Sequence, residues 1–432
     1  MTSLDQLSMP DLLQLRDGLQ TEHSALVAHG LKLNIARGKP SAEQLDLSNA
    51  LLSLPGDADY RDSTGEDLRN YGGDPRGLPE LRAIFAPFLG VPVEQVVAGG
   101  NSSLAMMHDC VTGALLKGVP GGTGPWAAQG EIAFLCPAPG YEKHHQIGVE
   151  FGIRLIPVPV TADGPDMDAV QAAVRDPQVK GMFCVPTYAN PTGEIWSDAV
   201  VDKLAAMQTT APDFRLFWDE AYLVHHLTDE TRVAKNILTA CADAGNPDRA
   251  LVFASTSKIT FAQAGVGFLA ASPANIDWYI ARMALRGMGP DKLNHLRHLR
   301  LLRDPGGLRA HMQKHRALLA PKFDRILAAL AARLDGMGVA SWFVPQGGYF
   351  INIEATPGTA ARAVALAAEA GLTLTVAGST WPHGRDPQDS NIRIAPSFAS
   401  LPDVELAAGI IPLAILLAAV EKRSANTVPA VS

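Results

Sequence analysis

The sequence predicts an α/β fold: a three-layer α/β/α large domain built on a mainly parallel sheet, with a smaller α+β domain beside it. Three observations point there. Short β-rich runs alternate with longer helical patterns through the middle of the chain, one long helical pattern begins near Arg309, and three central runs end in polar residues that an apolar sheet does not need for packing.

The size of the chain supports this reading. At 432 residues with 47% apolar content it can bury a core in two or three domains, which excludes a disordered chain and a small disulfide scaffold. With 36 Lys+Arg against 44 Asp+Glu and only 19% charged residues, the net charge of −8 argues against a nucleic-acid partner and for a small-molecule one. Cys110, Cys136, Cys184 and Cys241 form no CxxC pair and mostly lie in apolar segments, which suggests a reducing, cytoplasmic setting. The opening MTSLDQLSMPDLLQLRDG lacks the basic-then-apolar layout of a secretory signal.

In chain order, VEQVVAGG, EIAFLCP and RLIPVPV each precede a helical pattern, and VKGMFCVP, FRLFWDE and ALVFAST follow. From Arg309 to Asp335 the residues Leu318, Leu319, Phe323, Ile326, Leu327 and Leu330 keep helical spacing, with Pro321 as an expected kink. Then come VASWFVPQGGYFINIEA, an alanine-rich helix over Ala360 to Ala370, LTLTVAG and NIRIAPSF. The run Leu406 to Val420, interrupted by Gly409 and Pro412, is too short to span a bilayer and reads as a buried helix, so no membrane partner is expected. The small domain is assigned to residues 1–50 and 315–432, and the large domain to 51–314.

The polar strand endings carry the chemistry. VKGMFCVP runs into Thr187-Tyr-Ala-Asn190-Pro-Thr-Gly, FRLFW into Asp219, Glu220 and Tyr222, and ALVFA into Ser255, Ser257 and Lys258. In an open parallel sheet, ligands sit beyond the carboxyl ends of the strands, so these endings should meet in one crevice. VVAGGNSSLAMM adds a strand-to-helix turn, Gly99 to Ser103, whose free N–H groups suit a phosphate.

Taken in order, ARGKPS (Ala36 to Ser41), YGGDPRGLPELR, ANPTG, WDEAY, STSK and NIRIAP cover nearly the whole chain, with 29 residues from Asn190 to Asp219 and 39 from Asp219 to Lys258. This set resembles the fold-type I pyridoxal-phosphate enzymes and, within them, the class I aminotransferases. The wording CPAPGYEKHH, DGPDMDAV, STSKIT and RGMGPDK is similar to the bacterial aspartate aminotransferase subgroup.

The resemblance implies pyridoxal 5'-phosphate as cofactor and a role for each matching residue. Lys258 would bond the cofactor aldehyde and later carry the Cα proton. Asp219 would keep the pyridine nitrogen protonated, and Asn190 and Tyr222 would hydrogen-bond the phenolic oxygen. An Asn before Pro also suits a turn, and a strand-end Tyr also suits packing. Tyr141 would lie against the ring face, or in ordinary core.

Ser102, Ser103 and Ser255, with the Asn101 backbone, would hold the phosphate, and Tyr71 would reach in from a second subunit. The serines are equally good helix caps. The family's phosphate-pairing arginine is replaced here by Val266. Arg393 would grip the substrate α-carboxylate with a bidentate fork, with Gly38 bringing backbone close to it. For a side-chain carboxylate the preferred cation is Arg286, then Lys292, within RMALRGMGPDKLNHLRH, a stretch that also reads as a solvated basic face.

His311 and His315 have the i, i+4 spacing of a metal pair but no completing acid, so a surface helix is expected and no metal site. His144-His145 and His225-His226 flank cofactor motifs without an assigned chemistry, and 120–124 reads as a loop. The implied protein is a homodimer with its active site at the subunit interface, exchanging amino and keto groups between L-aspartate and 2-oxoglutarate. The alternatives are a broad aromatic or 2-aminoadipate aminotransferase, a β-lyase, or a non-catalytic ligand sensor. The last normally carries an added DNA-binding domain, for which the stretch before Ala36 is too short.

Overall fold

Eight strands build the main sheet of the computed structural model, which describes residues 3–427. Their order across the sheet is Val96–Ala98, Gly267–Ala271, Ala250–Ser255, Arg215–Asp219, Val179–Cys184, Ala133–Ala138, Arg154–Thr161 and Gly164–Pro165. The five strands from Ala250–Ser255 to Arg154–Thr161 are parallel neighbours, as the alternating pattern predicts. The central strands are buried on both faces, which is why RLFWD and VKGMFC read as near-continuous apolar runs.

Gly267–Ala271 was not anticipated. It inserts between Val96–Ala98 and Ala250–Ser255 and runs antiparallel to both. Its GFLAA sequence is short, with glycine and alanine in place of β-branched residues, so it gives little strand signal. The glycine is required by close approach: a Cβ on Gly267 would lie 2.7 Å from the Ser102 carbonyl carbon. This strand therefore holds the Asn101–Ser103 turn against the end of the lysine strand.

A second group of elements follows the long helix, which spans Pro305–Leu334 and starts earlier than its apolar spacing suggested because Asp304 caps it at Gly307 N–H. The helix continues through Pro321. Ala340–Trp342, Ile351–Ala355 and Asn391–Ile394 form an antiparallel sheet in which Arg393 lies opposite Asn352. Leu33–Asn34 pairs in parallel with Leu372–Thr373, and Ala395 N–H donates to the Ile35 carbonyl, which brings the ARGKPS segment beside Arg393. One apolar cluster unites Leu12, Leu33, Ile35, Phe323, Ile353, Ile394 and Val420.

The last helix is Leu401–Thr427, longer than the apolar run within it. By length and composition it could cross a membrane, but most of it is buried within the protein, which suits a core helix. The expectation for His311 and His315 is corrected. Both are buried, because their helix face packs on the turn after Lys258, and the Nε2 of each lies 2.9 Å from the Ile259 carbonyl.

Candidate active site

The carboxyl ends of three parallel strands meet as the sequence predicts. Asp219 is the last residue of its strand and is buried, with Oδ2 3.1 Å from His144 Nε2 and with Oδ1 lacking a hydrogen-bond partner among the described residues. An orphaned carboxylate oxygen in a buried site is costly unless a donor arrives, so it marks where one is expected. His144 is the residue that sequence reasoning left without a role. Its position three residues after Tyr141, on the first turn of Glu142–Glu150, was the available signal.

Lys258 lies in the turn after Ala250–Ser255, and its Nζ is 4.9 Å from the centre of the Tyr222 ring. Burial lowers its pKa from the ordinary lysine range, while the Asp219 carboxylate acts in the opposite direction. A lysine so placed has more of its amine neutral, as a nucleophile requires. Its own carbonyl accepts hydrogen bonds from Tyr349 OH at 3.2 Å and His225 Nε2 at 3.3 Å, which fix the peptide from which the side chain extends. His225 is fully buried and its pKa falls to about 3, so this clamp stays neutral.

Tyr222 is buried against Tyr349 and Phe350, and burial pushes its phenol well up. Tyr141 precedes the helix Glu142–Glu150 and packs edge-on against His144, with its phenol also raised by burial. Asn190 is buried, and its Oδ1 accepts from Arg393 Nη1 at 3.1 Å.

The anion turn lies at one end of this cluster. Ser102 caps the helix Ser103–Lys117 by accepting from Ala105 N–H. Ser257 Oγ donates to the Asn101 carbonyl at 3.3 Å, and Ser255 Oγ accepts from Ser257 N–H, so the two serine segments face one another. Val266 is fully buried in apolar core and exchanges backbone and side-chain hydrogen bonds with Thr256, so its side chain cannot substitute for a cation. Ser257, which the sequence reading did not include with Ser102, Ser103 and Ser255, lies between these two segments.

Arg393 is held on every side. Its Nη1 and Nη2 meet the two Glu142 carboxylate oxygens at 2.6 and 3.0 Å, its Nε donates to Thr375 Oγ1, and its guanidinium lies 4.8 Å from the Phe350 ring centre. Gly38 packs against the same ring, where a Cβ would be 2.5 Å from Phe350 Cζ.

Two anticipated residues lie apart from this cluster. Tyr71 is 76% exposed, and Arg286 ends the helix Pro273–Arg286 at the surface, paired with Asp109. Lys292 is buried and committed to Glu66 and the Gly72 carbonyl.

The crevice thus holds a lysine just beyond one strand end, a buried carboxylate at the end of the next strand, and a strand-to-helix turn beside them. Residues 7–427 match the family model for aspartate amino-transferase, and the chain belongs to that family. It is 47% identical over 405 residues, 94% of each chain, to an aspartate aminotransferase of Corynebacterium glutamicum. It is 54% identical over 422 residues, 97% of this chain and 98% of the relative, to a Mycolicibacterium smegmatis protein that carries a provisional aminotransferase name. A crystal structure of an aspartate transaminase from C. glutamicum superposes with a TM-score of 0.95 at 46% identity, covering 98% of this chain and 99% of that one. The protein is an aminotransferase.

Proposed function

We propose that this enzyme binds pyridoxal 5'-phosphate and transfers the amino group of L-aspartate to 2-oxoglutarate, giving oxaloacetate and L-glutamate. The observation that carries the cofactor is Asp219 Oδ1, a buried oxygen with no donor among the described residues, held in place through Oδ2 by His144. A pyridinium N–H would satisfy it. Asn190 and Tyr222 would hydrogen-bond the phenolic oxygen, Tyr141 would pack on the ring, and Asn101, Ser102, Ser103 and Ser255 would offer N–H and hydroxyl donors to the phosphate without the family's arginine.

When bound, the cofactor supplies an aldehyde that takes up an amino group and a ring that accepts the electron pair released at Cα. The chain's own residues do the rest. Lys258 presents an amine whose pKa is lowered by burial, and that amine can take and return the Cα proton. Arg393, fixed by Thr375, Asn190 and Phe350, orients the α-carboxylate so that Cα–H faces Lys258. Tyr222 and Phe350 exclude water from the same space.

Aspartate as donor rests on the similarity to relatives named for it and on Arg286 as the cation for the distal carboxylate, reached across a subunit boundary. A homodimer is supported by exposed apolar side chains, Leu285, Met288 and Tyr71, near a groove lined by Gly72, Gly99 and Arg286. A cytoplasmic setting is supported by four free, buried cysteines. Steady-state rates over a panel of amino donors test the substrate: aspartate with 2-oxoglutarate should be the fastest pair, and an absent aspartate rate would remove it.

A further inference from the structure

The carboxylate-binding fork of Arg393 is filled by a carboxylate of the chain itself. Arg393 is 4% exposed at its side chain and Glu142 27%, so the acid covers the outer side of the arginine. The pair is bidentate, with two parallel N–H···O contacts. Around that pair, Nε donates to Thr375, the second N–H of Nη1 donates to Asn190, and the Phe350 ring lies against the guanidinium, so the side-on fork that would need Nε is already engaged. A further carboxylate can enter this fork with two hydrogen bonds only where Glu142 now lies.

Glu142 is also able to leave. It is the first residue of the helix Glu142–Glu150, so rotation about its own side-chain bonds frees the arginine without moving strand or helix. Its own backbone N–H already favours its ionised form, and the helix N-terminus offers a favourable environment for the released charge. Burial alone would raise its pKa, but the hydrogen bonds and charge of Arg393 hold it below the ordinary carboxylate range. It therefore remains an anion at neutral pH.

We propose that Glu142 is a specificity-determining internal competitor, a built-in carboxylate that closes the Arg393 fork until the α-carboxylate of the substrate displaces it. The inference rests on the reading of Arg393 as the α-carboxylate receptor. Exchange of one carboxylate for another means that the buried guanidinium is never left unpaired, which would be strongly unfavourable. It also means that an amine lacking a carboxylate leaves the fork closed. A competitor that holds the fork nine-tenths of the time weakens apparent affinity about tenfold.

The test is titration of the holoenzyme with succinate, a dicarboxylate that cannot donate an amino group, followed by the absorbance of the bound cofactor. Glu142→Gln and Glu142→Ala should each tighten succinate about tenfold or more, with neutral succinamide unaffected. Tightening is the opposite of what damage to a structural contact produces. Glu142→Asp, one methylene too short to keep both contacts, should tighten it by an intermediate amount and serves if the larger changes prevent folding. Arg393→Lys separates the two claims. If it weakens succinate while every Glu142 variant binds as wild type or worse, the competitor is refuted and the receptor stands; if it changes nothing, the receptor reading falls and the competitor with it.

Discussion

Replacing Gly38 with alanine tests whether the ARGKPS segment positions the carboxylate grip through Phe350. The new Cβ would lie 2.5 Å from Phe350 Cζ and 2.8 Å from Cε1. Carbon atoms pack at about 3.5–4.0 Å, so the ring must retreat by about 1 Å. Phe350 has little room to do so: it is buried, the Arg393 guanidinium lies over it at 4.8 Å, and the Tyr222 ring meets it edge-on at 6.2 Å. Overpacking of this kind costs about 1–3 kcal/mol of stability. A shift of about 1 Å in a group that orients substrate can lower kcat/KM as much as 100-fold. Thermal melts and steady-state kinetics with L-aspartate should show both losses. Gly18→Ala is the control, since Gly18 lies exposed within the helix Met9–Ala28 with nothing near its Cβ position, and should stabilise by about 0.4–1 kcal/mol. Wild-type melting and kinetics for Gly38→Ala would refute the positioning argument.

Further outcomes follow from buried and paired charges. Arg286→Ala should reduce activity toward aspartate much more than toward alanine, and equal losses for the two donors would make the residue structural. Lys180 Nζ donates to Asp213 Oδ1 at 2.8 Å, both side chains buried, each near the start of a strand, so Lys180→Met should destabilise by about 3–5 kcal/mol in urea melts; a loss below 1 kcal/mol would contradict the assigned pairing. Glu194 and Glu220 are both pushed up to about 7, chiefly by burial. The folded state therefore holds protons that the unfolded chain releases near pH 4.5, and each group's contribution, fully present below that pH, is lost as pH rises through about 7. The slope is about 1.4 kcal/mol per pH unit per group. Glu194→Gln should flatten the fall in stability over that window, and an unchanged pH profile would show that the group titrates normally.

The strand endings were legible because each breaks the apolar logic of its strand: Asn190, Asp219 and Lys258 sit where packing asks for nothing polar. Arg393, between two isoleucines, was legible for the same reason. His144 was legible only as a histidine one helical turn from Tyr141, because its place on the helix does not say which buried acid it will face. Glu142 was hidden more deeply, since an acid in the first turn of a helix is already explained by the helix dipole. His311 and His315 were misjudged because helix periodicity shows an apolar face but not a second, polar face packed on the Lys258 turn. Gly267–Ala271 escaped notice because its residues are chosen for close approach to Ser102, at the expense of strand propensity.

The central claim is that Lys258 carries the cofactor aldehyde opposite Asp219. Purified enzyme incubated with pyridoxal 5'-phosphate, reduced with borohydride, digested and analysed by mass spectrometry should carry the phosphopyridoxyl group on the peptide containing Lys258. Finding the label only on other lysines, or none at all, would contradict the account.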